Sequence, residues 1–218
     1  MKAGRGIVET FVRTGGTPRR VRCELATPRE IRALAKWQIP RARTGAMLDA
    51  VEYAGLTCKR WGFYLQEGRA ITDAGQLHDP ALIAEDELAF LVVARAAWAR
   101  PSVLGLCLFR RSWCNHLVVD FLAVHPRFQH GGGRPVKGVG AALLLAVTEM
   151  AGQLGVPKIW GEATRGSAAK YEDFFGLSRV RDLFVVNRAR QQKFRTSFLN
   201  RVPETRLLLR ERVASFPP

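Results

Sequence analysis

Three apolar runs of strand length follow one another in the middle of the chain: "LAFLVVARA" from Leu88, "SVLGLCLFRR" from Ser102 and "HLVVDFLAV" from His116. Short polar turns join them, which is the pattern of consecutive strands in one buried sheet. The next apolar segment changes period. In "GVGAALLLAVTEMAGQLG" the residues Val139, Leu143, Val147, Met150 and Leu154 recur at steps of three and four, so one helical face is continuously apolar. Gly155 and Pro157 stop that helix. "KIWGEA" reads as another strand, Ser167 caps a short helix "AAKYEDFF" closed by Gly176, and "RVRDLFVV" reads as a further strand. Strands and helices in this order predict an α/β or α+β domain, a mixed sheet with helices on its faces.

Upstream the pattern is thinner. "VRCELA" reads as a strand. "TPREIRALAKW" opens a helix with Thr27 as N-cap, Pro28 at the first helical position and Glu30 completing a capping box. Residues 40–87 are the least legible part, with a helical patch at "AMLDAVEYAG" and turn chemistry at "HDP". Their mixture of Tyr53, Trp61, Phe63 and Tyr64 suits a variable substrate-binding segment. Residues 1–20 mix Gly, Pro and Arg and read as a basic, partly disordered extension. The expected organisation is that extension, a domain over residues 21–187, and a basic segment 188–218 packing on or completing it.

At 218 residues the chain is long enough to bury a full core without disulfides or metals. Its longest uninterrupted apolar run, Ala141 to Val147, is too short to span a bilayer, and its first residues lack the apolar stretch of a secretion signal. Cys23, Cys58, Cys107 and Cys114 form no CxxC pair and have no His partners at zinc spacing. They read as core thiols in a reducing cytoplasm, with no metal site expected. The formal charge of +15 is concentrated at the ends. Residues 1–20 hold five basic residues and one acidic, and residues 188–218 hold eight basic and two acidic. Such ends suit nucleic acid or another acidic partner, or are solvated surface. A cationic surface would also repel polyamines and aminoglycosides.

Between the third strand and the long helix lies "VHPRFQHGGGRPVKGVGA", from Val124 to Ala141. The first-turn amides of a helix have no intrahelical partner, and the helix dipole adds positive charge there. Glycines let a ligand approach that backbone, which makes the junction an anion site suited to a pyrophosphate. It is not a Walker A loop, because Val139 stands where the lysine belongs, and it is not a GxGxxG fingerprint, because no third glycine is in place.

The junction resembles the cofactor signature of the GNAT superfamily of acyl-CoA-dependent N-acetyltransferases, Q/R-x-x-G-x-G/A after a strand ending in V-x-P. "LAVHPRFQ" supplies the strand end and Gln129, and "VKGVGA" supplies Gly138, Val139, Gly140 and Ala141. Six extra residues, "HGGGRP", separate the halves and move Gln129 away from the helix start. Arg134 or Lys137 then stands in for its phosphate contact, or the insertion is a surface bulge. Downstream, "KIWGEATRGSAAKYEDFFGL" follows the family's order of strand, short helix with a tyrosine, and a closing Gly pair. Tyr171 lies five residues before Gly176 where four is common, and Thr164 or a neighbour replaces an asparagine. The resemblance covers residues 88–186.

It implies a splayed mixed sheet and transfer of an acetyl or other acyl group from acyl-CoA to a primary amine. Main-chain groups of Leu122, Ala123 and Val124 would hold the thioester and pantetheine arm. Tyr171 would protonate the departing sulfur, unless it is simply a packed aromatic. Asp120 interrupts an apolar strand, where a carboxylate is costly without work or partners. It is the candidate base, directly or through a water, or else a carboxylate paired to an arginine. Strand alternation puts Asp120, Leu122 and Val124 on one face. Glu162 is a second acidic candidate, and His116 and His125 are weaker ones. No cysteine nucleophile is evident, since Cys107 and Cys114 are expected on strands away from the loop. A homodimer stays open. So does a catalytically silent module of this fold that binds nucleic acid or a protein through its basic ends.

Overall fold

The structure, a computed structural model, describes residues 6–39, 44–206 and 208. Its frame is one mixed sheet. Strands β1 (Gly6–Thr14) and β2 (Thr17–Leu25) form a hairpin, followed by helices α1 (Pro28–Leu34) and α2 (Gly45–Gln66). A short β3 (Ala70–Ile71) and α3 (Pro80–Ile83) lead into β4 (Leu88–Arg95), β5 (Val103–Arg111) and β6 (Leu117–Val124). Then come β7 (Val136–Lys137), α4 (Val139–Gln153), β8 (Lys158–Glu162), α5 (Ala168–Phe175), β9 (Leu183–Asn187) and α6 (Arg188–Arg201). The strand order is β7-β1-β2-β4-β5-β6-β8-β9, with β3 beside β4. Apart from the parallel pairs β6–β8 and β3–β4, neighbours are antiparallel.

Helices cover both faces. On one side α4, α5 and α6 pack over Val92, Leu104, Cys107 and Phe109. On the other, α1 and α2 cover Leu91, Val93, Leu106 and Leu108. Because the central strands are buried on both faces, their sequences read as unbroken apolar runs. Thr27 and Glu30 form the expected capping box on α1.

Three expectations need correction. Residues 6–20 are not an extension but most of the β1–β2 hairpin, in which Val8, Thr10 and Val12 are fully or almost fully buried; residues 1–5 lie outside the described residues. Helix α4 is apolar on nearly its whole circumference, not along one face, because α6 covers the side turned away from the sheet. The basic segment after residue 187 starts as that cover: Phe194, Phe198 and Leu199 are buried, and Arg195 pairs with Glu149 of α4 at 2.6 Å. Residues 209–218, which carry part of the expected C-terminal charge, lie outside the described residues. Among the described residues no helix is long and apolar enough to cross a membrane.

Candidate functional site

The sheet opens between β6 and β8. Their parallel pairing runs only from Leu117–Ile159 to Val119–Gly161, after which β6 continues for five residues without a neighbour on that side. The opening coincides with a bulge: Leu108 pairs with Phe121 and Phe109 with Val119, so Asp120 is an extra residue in β6. The bulge resets the alternation. Leu122 and Val124 pack with the α4 side, while Phe121 and Ala123 pack under α2. Asp120 does not share a face with Leu122 and Val124 as strict alternation predicts. It turns to the α2 side, where it meets Arg60.

Past the bulge, the His125 amide donates to the Leu104 carbonyl of β5 at 2.8 Å. Alternation then turns the main-chain groups of Ala123 toward β5 and those of Leu122 and Val124 toward the open edge. Of the three residues expected to hold a thioester arm, Leu122 and the Val124 amide therefore offer polar groups to the gap; the Val124 carbonyl is taken by Gln129, and Ala123 turns away.

Gln129 is spent inside the protein. Its Nε2 donates to the Val124 carbonyl at 2.7 Å and the Ala46 carbonyl at 3.2 Å, tying the end of β6 to the start of α2. Both amide protons are used, so Gln129 has none for a phosphate. The "HGGG" insertion is neither extended nor loose. The Gly132 amide donates to the Gln129 carbonyl at 2.9 Å and the Arg134 amide to the Arg127 carbonyl at 3.3 Å, folding the tract back on the 3-10 turn Pro126–Phe128. A Cβ on Gly132 would lie 2.1 Å from the Pro126 carbonyl oxygen.

Gly138 is the N-cap of α4 at φ 95°, a conformation side chains disfavour, and supplies no side-chain cap. Its carbonyl accepts from the Ala142 amide, and the amides of Val139, Gly140 and Ala141 have no acceptor among the described residues. Gly140 faces Leu122, with 3.7 Å between a Cβ placed there and the Leu122 side chain. The start of α4 and the open edge of β6 are thus adjacent. A cavity of about 230 Å³ lies at this helix start, with Lys137, Gly138 and Ala141 on one wall and Phe174, Phe194 and Phe198 opposite. Arg13 and Arg201 also line it, as does Glu204. Arg134 is exposed on the surface and does not line this cavity.

On the other side of the gap stands Tyr171, one helical turn before Phe174 on α5. It is 6% exposed and its ring stacks on Phe184 at 4.0 Å. Its hydroxyl has no hydrogen-bond partner among the described residues. Burial pushes its pKa up, and it lies near enough to Cys107 and Tyr53 for their charges to add to the shift. The phenol is therefore protonated at neutral pH.

Asp120 is held on both oxygens. Arg110 Nε donates to Oδ1 at 3.2 Å and Oδ2 at 3.1 Å, and Arg60 Nη1 lies 3.0 Å from Oδ1. Arg110 also pairs with Glu87, which accepts a 2.8 Å bond from the Tyr64 hydroxyl. Burial raises the Asp120 pKa and the two arginines oppose the rise. Glu162 differs: it is exposed, has no ion-pair partner among the described residues, and its charge helps raise the pKa of Tyr53. His125 is unsuited to proton transfer at neutral pH. Burial, with Arg127 nearby, lowers its pKa to about 4, and its Nδ1 accepts from the Arg127 amide.

Cys107 lies beside the gap, paired with Leu122, rather than away from it. It is fully buried and its thiol pKa is pushed up, which is inert character rather than a nucleophile's. Cys114 sits in the β5–β6 turn, not on a strand. Among the described residues there is no cluster of three metal-ligating groups. Sequence reasoning missed Arg60 and Arg110 as site residues and placed Tyr53 only within a substrate-binding segment; Arg110, near the end of an apolar strand, was the missed residue with a visible signal.

No protein-family model matches the chain, and no curated protein matches it in sequence. Solved structures do match in outline. A protein of Desulfovibrio desulfuricans assigned to the GNAT acetyltransferases is 15% identical, covering 71% of this chain and 81% of that one, with a TM-score of 0.44. The PaiA N-acetyltransferase of Thermoplasma acidophilum, solved with coenzyme A, is 12% identical over 77% of this chain and 98% of its own, TM-score 0.43. A GNAT-family acetyltransferase of Staphylococcus aureus is 11% identical over 77% and 98%, TM-score 0.44. These are likenesses of outline, and no residue role or activity passes from them to this chain.

Proposed function

We propose that the chain is an acyl-CoA-dependent N-acetyltransferase that moves an acetyl group directly to a primary amine. One observation carries the reading. Three unpartnered groups lie beside the gap: the amides at the start of α4, the open main-chain edge at Leu122 with the Val124 amide, and the Tyr171 hydroxyl. They correspond to the pyrophosphate, pantetheine amides and sulfur of an extended CoA arm. Lys137 and Arg13 supply positive charge at the pyrophosphate end, with Val139, Gly140 and Ala141 donating main-chain hydrogen bonds.

In the proposed step the amine nitrogen attacks the thioester carbonyl carbon, a C–N bond forms and the C–S bond breaks. An open-edge amide of β6 stabilises charge on the carbonyl oxygen. Tyr171 gives its proton to the leaving thiolate. The amine proton goes to Glu162, directly or through a water. We move the base role there from Asp120, whose oxygens are already occupied by two guanidiniums; Asp120 instead fixes the bulge that opens the sheet.

The test is thiol release from acetyl-CoA with a panel of amines. Tyr171→Phe and Glu162→Gln should each lower kcat by about 10²-fold and leave the Kd for CoA unchanged. Full turnover in both variants would overturn these roles.

A further inference from the structure

The two ends of the sheet are built differently. At one end β7 is two residues long and offers little edge to pair with. At the other, β9 is five residues long, and no strand lies beyond it among the described residues. The Ala163 amide donates to the Asp182 carbonyl at 2.8 Å. Alternation then turns the main-chain groups of Phe184 and Val186 toward β8 and those of Leu183, Val185 and Asn187 to the outer edge. Nothing in β9 guards that edge. Its sequence, "LFVVN", has no lysine and no proline, and its pairing with β8 runs from Lys158–Asn187 to Glu162–Leu183 without a bulge. Those are the devices by which exposed edges avoid joining another strand. Leu183 and Val185 are 56% and 51% exposed.

The charges flanking β9 are the second observation. Helix α6 follows the strand directly and has no acidic residue in its first turn; Arg188 and Arg190 stand there instead, against the positive end of the helix dipole. Both are exposed and have no ion-pair partner among the described residues. Asp182, just before β9, is likewise exposed and without an ion pair there. Within one chain the strand holds Asp182 and Arg188 about 20 Å apart. A second copy brings them together. When two β9 strands pair antiparallel about a two-fold axis at Val185, Val185 faces itself, Leu183 meets Asn187 of the second copy, and Asp182 meets its Arg188. The residues that this register needs to face outward are the ones that do. An axis at Phe184 or Val186 would call on main-chain groups already given to β8.

We propose that β9 joins β9 of a second copy of this chain, antiparallel and two-fold symmetric at Val185, so that one sheet continues through both copies. The Asp182 carboxylate then lies at the start of α6 of the second copy, where it offsets Arg188 and the helix dipole, and the same contact recurs on the other side of the axis. The two Val185 side chains stand directly opposite each other, a β-branched pair of the kind that stabilises a sheet. The contact is small, so the dimer forms at micromolar rather than nanomolar concentration. The inference is independent of the acyl-transfer reading.

The experiment is sedimentation equilibrium of the full chain from about 1 μM to about 200 μM, the range that suits a small interface. The mass should rise with concentration from that of one chain to that of two. Val185→Lys sets like charges opposite each other at the axis and should weaken the dimer by about tenfold or more. Because Val185 is half exposed, the variant should keep the parent's circular dichroism spectrum. Asp182→Arg and Arg188→Asp should each weaken the dimer about tenfold, as two exposed ion pairs turned to repulsion would. Asp182→Arg combined with Arg188→Asp should restore it, because the exchange preserves both pairs. This exchange tests the register without relying on Val185→Lys. A chain that stays monomeric throughout, a dimer indifferent to Val185→Lys, or single charge variants that the exchange does not rescue would overturn the proposal.

Discussion

Asp120 joins several features of this protein at one position. A carboxylate in an apolar strand is tolerated here because Arg110 and Arg60 approach it from β5 and α2. The same residue is the bulge after which β6 and β8 no longer pair. Removing its charge leaves two guanidiniums facing each other with one anion, Glu87, between Arg110 and Tyr64. Asp120→Asn should therefore cost on the order of 3 kcal/mol of stability, measured by urea denaturation, whereas Glu162→Gln on the exposed lip should cost almost nothing. An Asp120→Asn variant as stable as the parent but without turnover would return the base role to Asp120. The sequence showed that Asp120 was exceptional, because it stands alone in "LVVDFLAV". It did not show why: the partners are 10 and 60 residues earlier, and the alternation that places it beside Leu122 assumes a strand without a bulge. Tyr171 was legible from its helix and closing glycine. Tyr53 was legible only as part of a substrate-binding segment, since nothing in "AMLDAVEYAG" says which face meets the gap.

At the scale of elements, legibility follows where each segment buries its surface. The central strands were readable because burial on both faces leaves apolar runs that need no partner to be recognised. Helix α2 was read only as a patch, though it spans 22 residues, because Gly45, Gly55 and Gly62 dilute its helix propensity. β1 and the start of β2 were taken for a tail because the glycines, proline and arginines there hide the alternation of Val8, Thr10 and Val12. The glycine tract was seen as important, but its work is divided. Gly138 takes a positive φ at the helix start, whereas Gly132 admits close packing against the preceding turn. Gly132→Ala must push the Pro126 carbonyl away and should destabilise the fold by about 1–3 kcal/mol, seen as a lowered melting temperature. An unchanged melting temperature would mean that the tract is not packed as described.

In the whole molecule, one opening in the sheet organises the proposed chemistry. Cations and free amides lie on the α4 side, where an anionic cofactor would enter. Everything proposed about chemistry depends on the cavity at the start of α4 holding a CoA pyrophosphate. The direct measurement is calorimetric titration with acetyl-CoA of the parent, of Gly138→Pro and of Lys137→Glu, the last of which leaves the backbone unstrained. Micromolar binding by the parent, lost in Gly138→Pro and weakened in Lys137→Glu, is the predicted result. A parent that does not bind acetyl-CoA would contradict the account and favour a non-catalytic module acting through its basic ends.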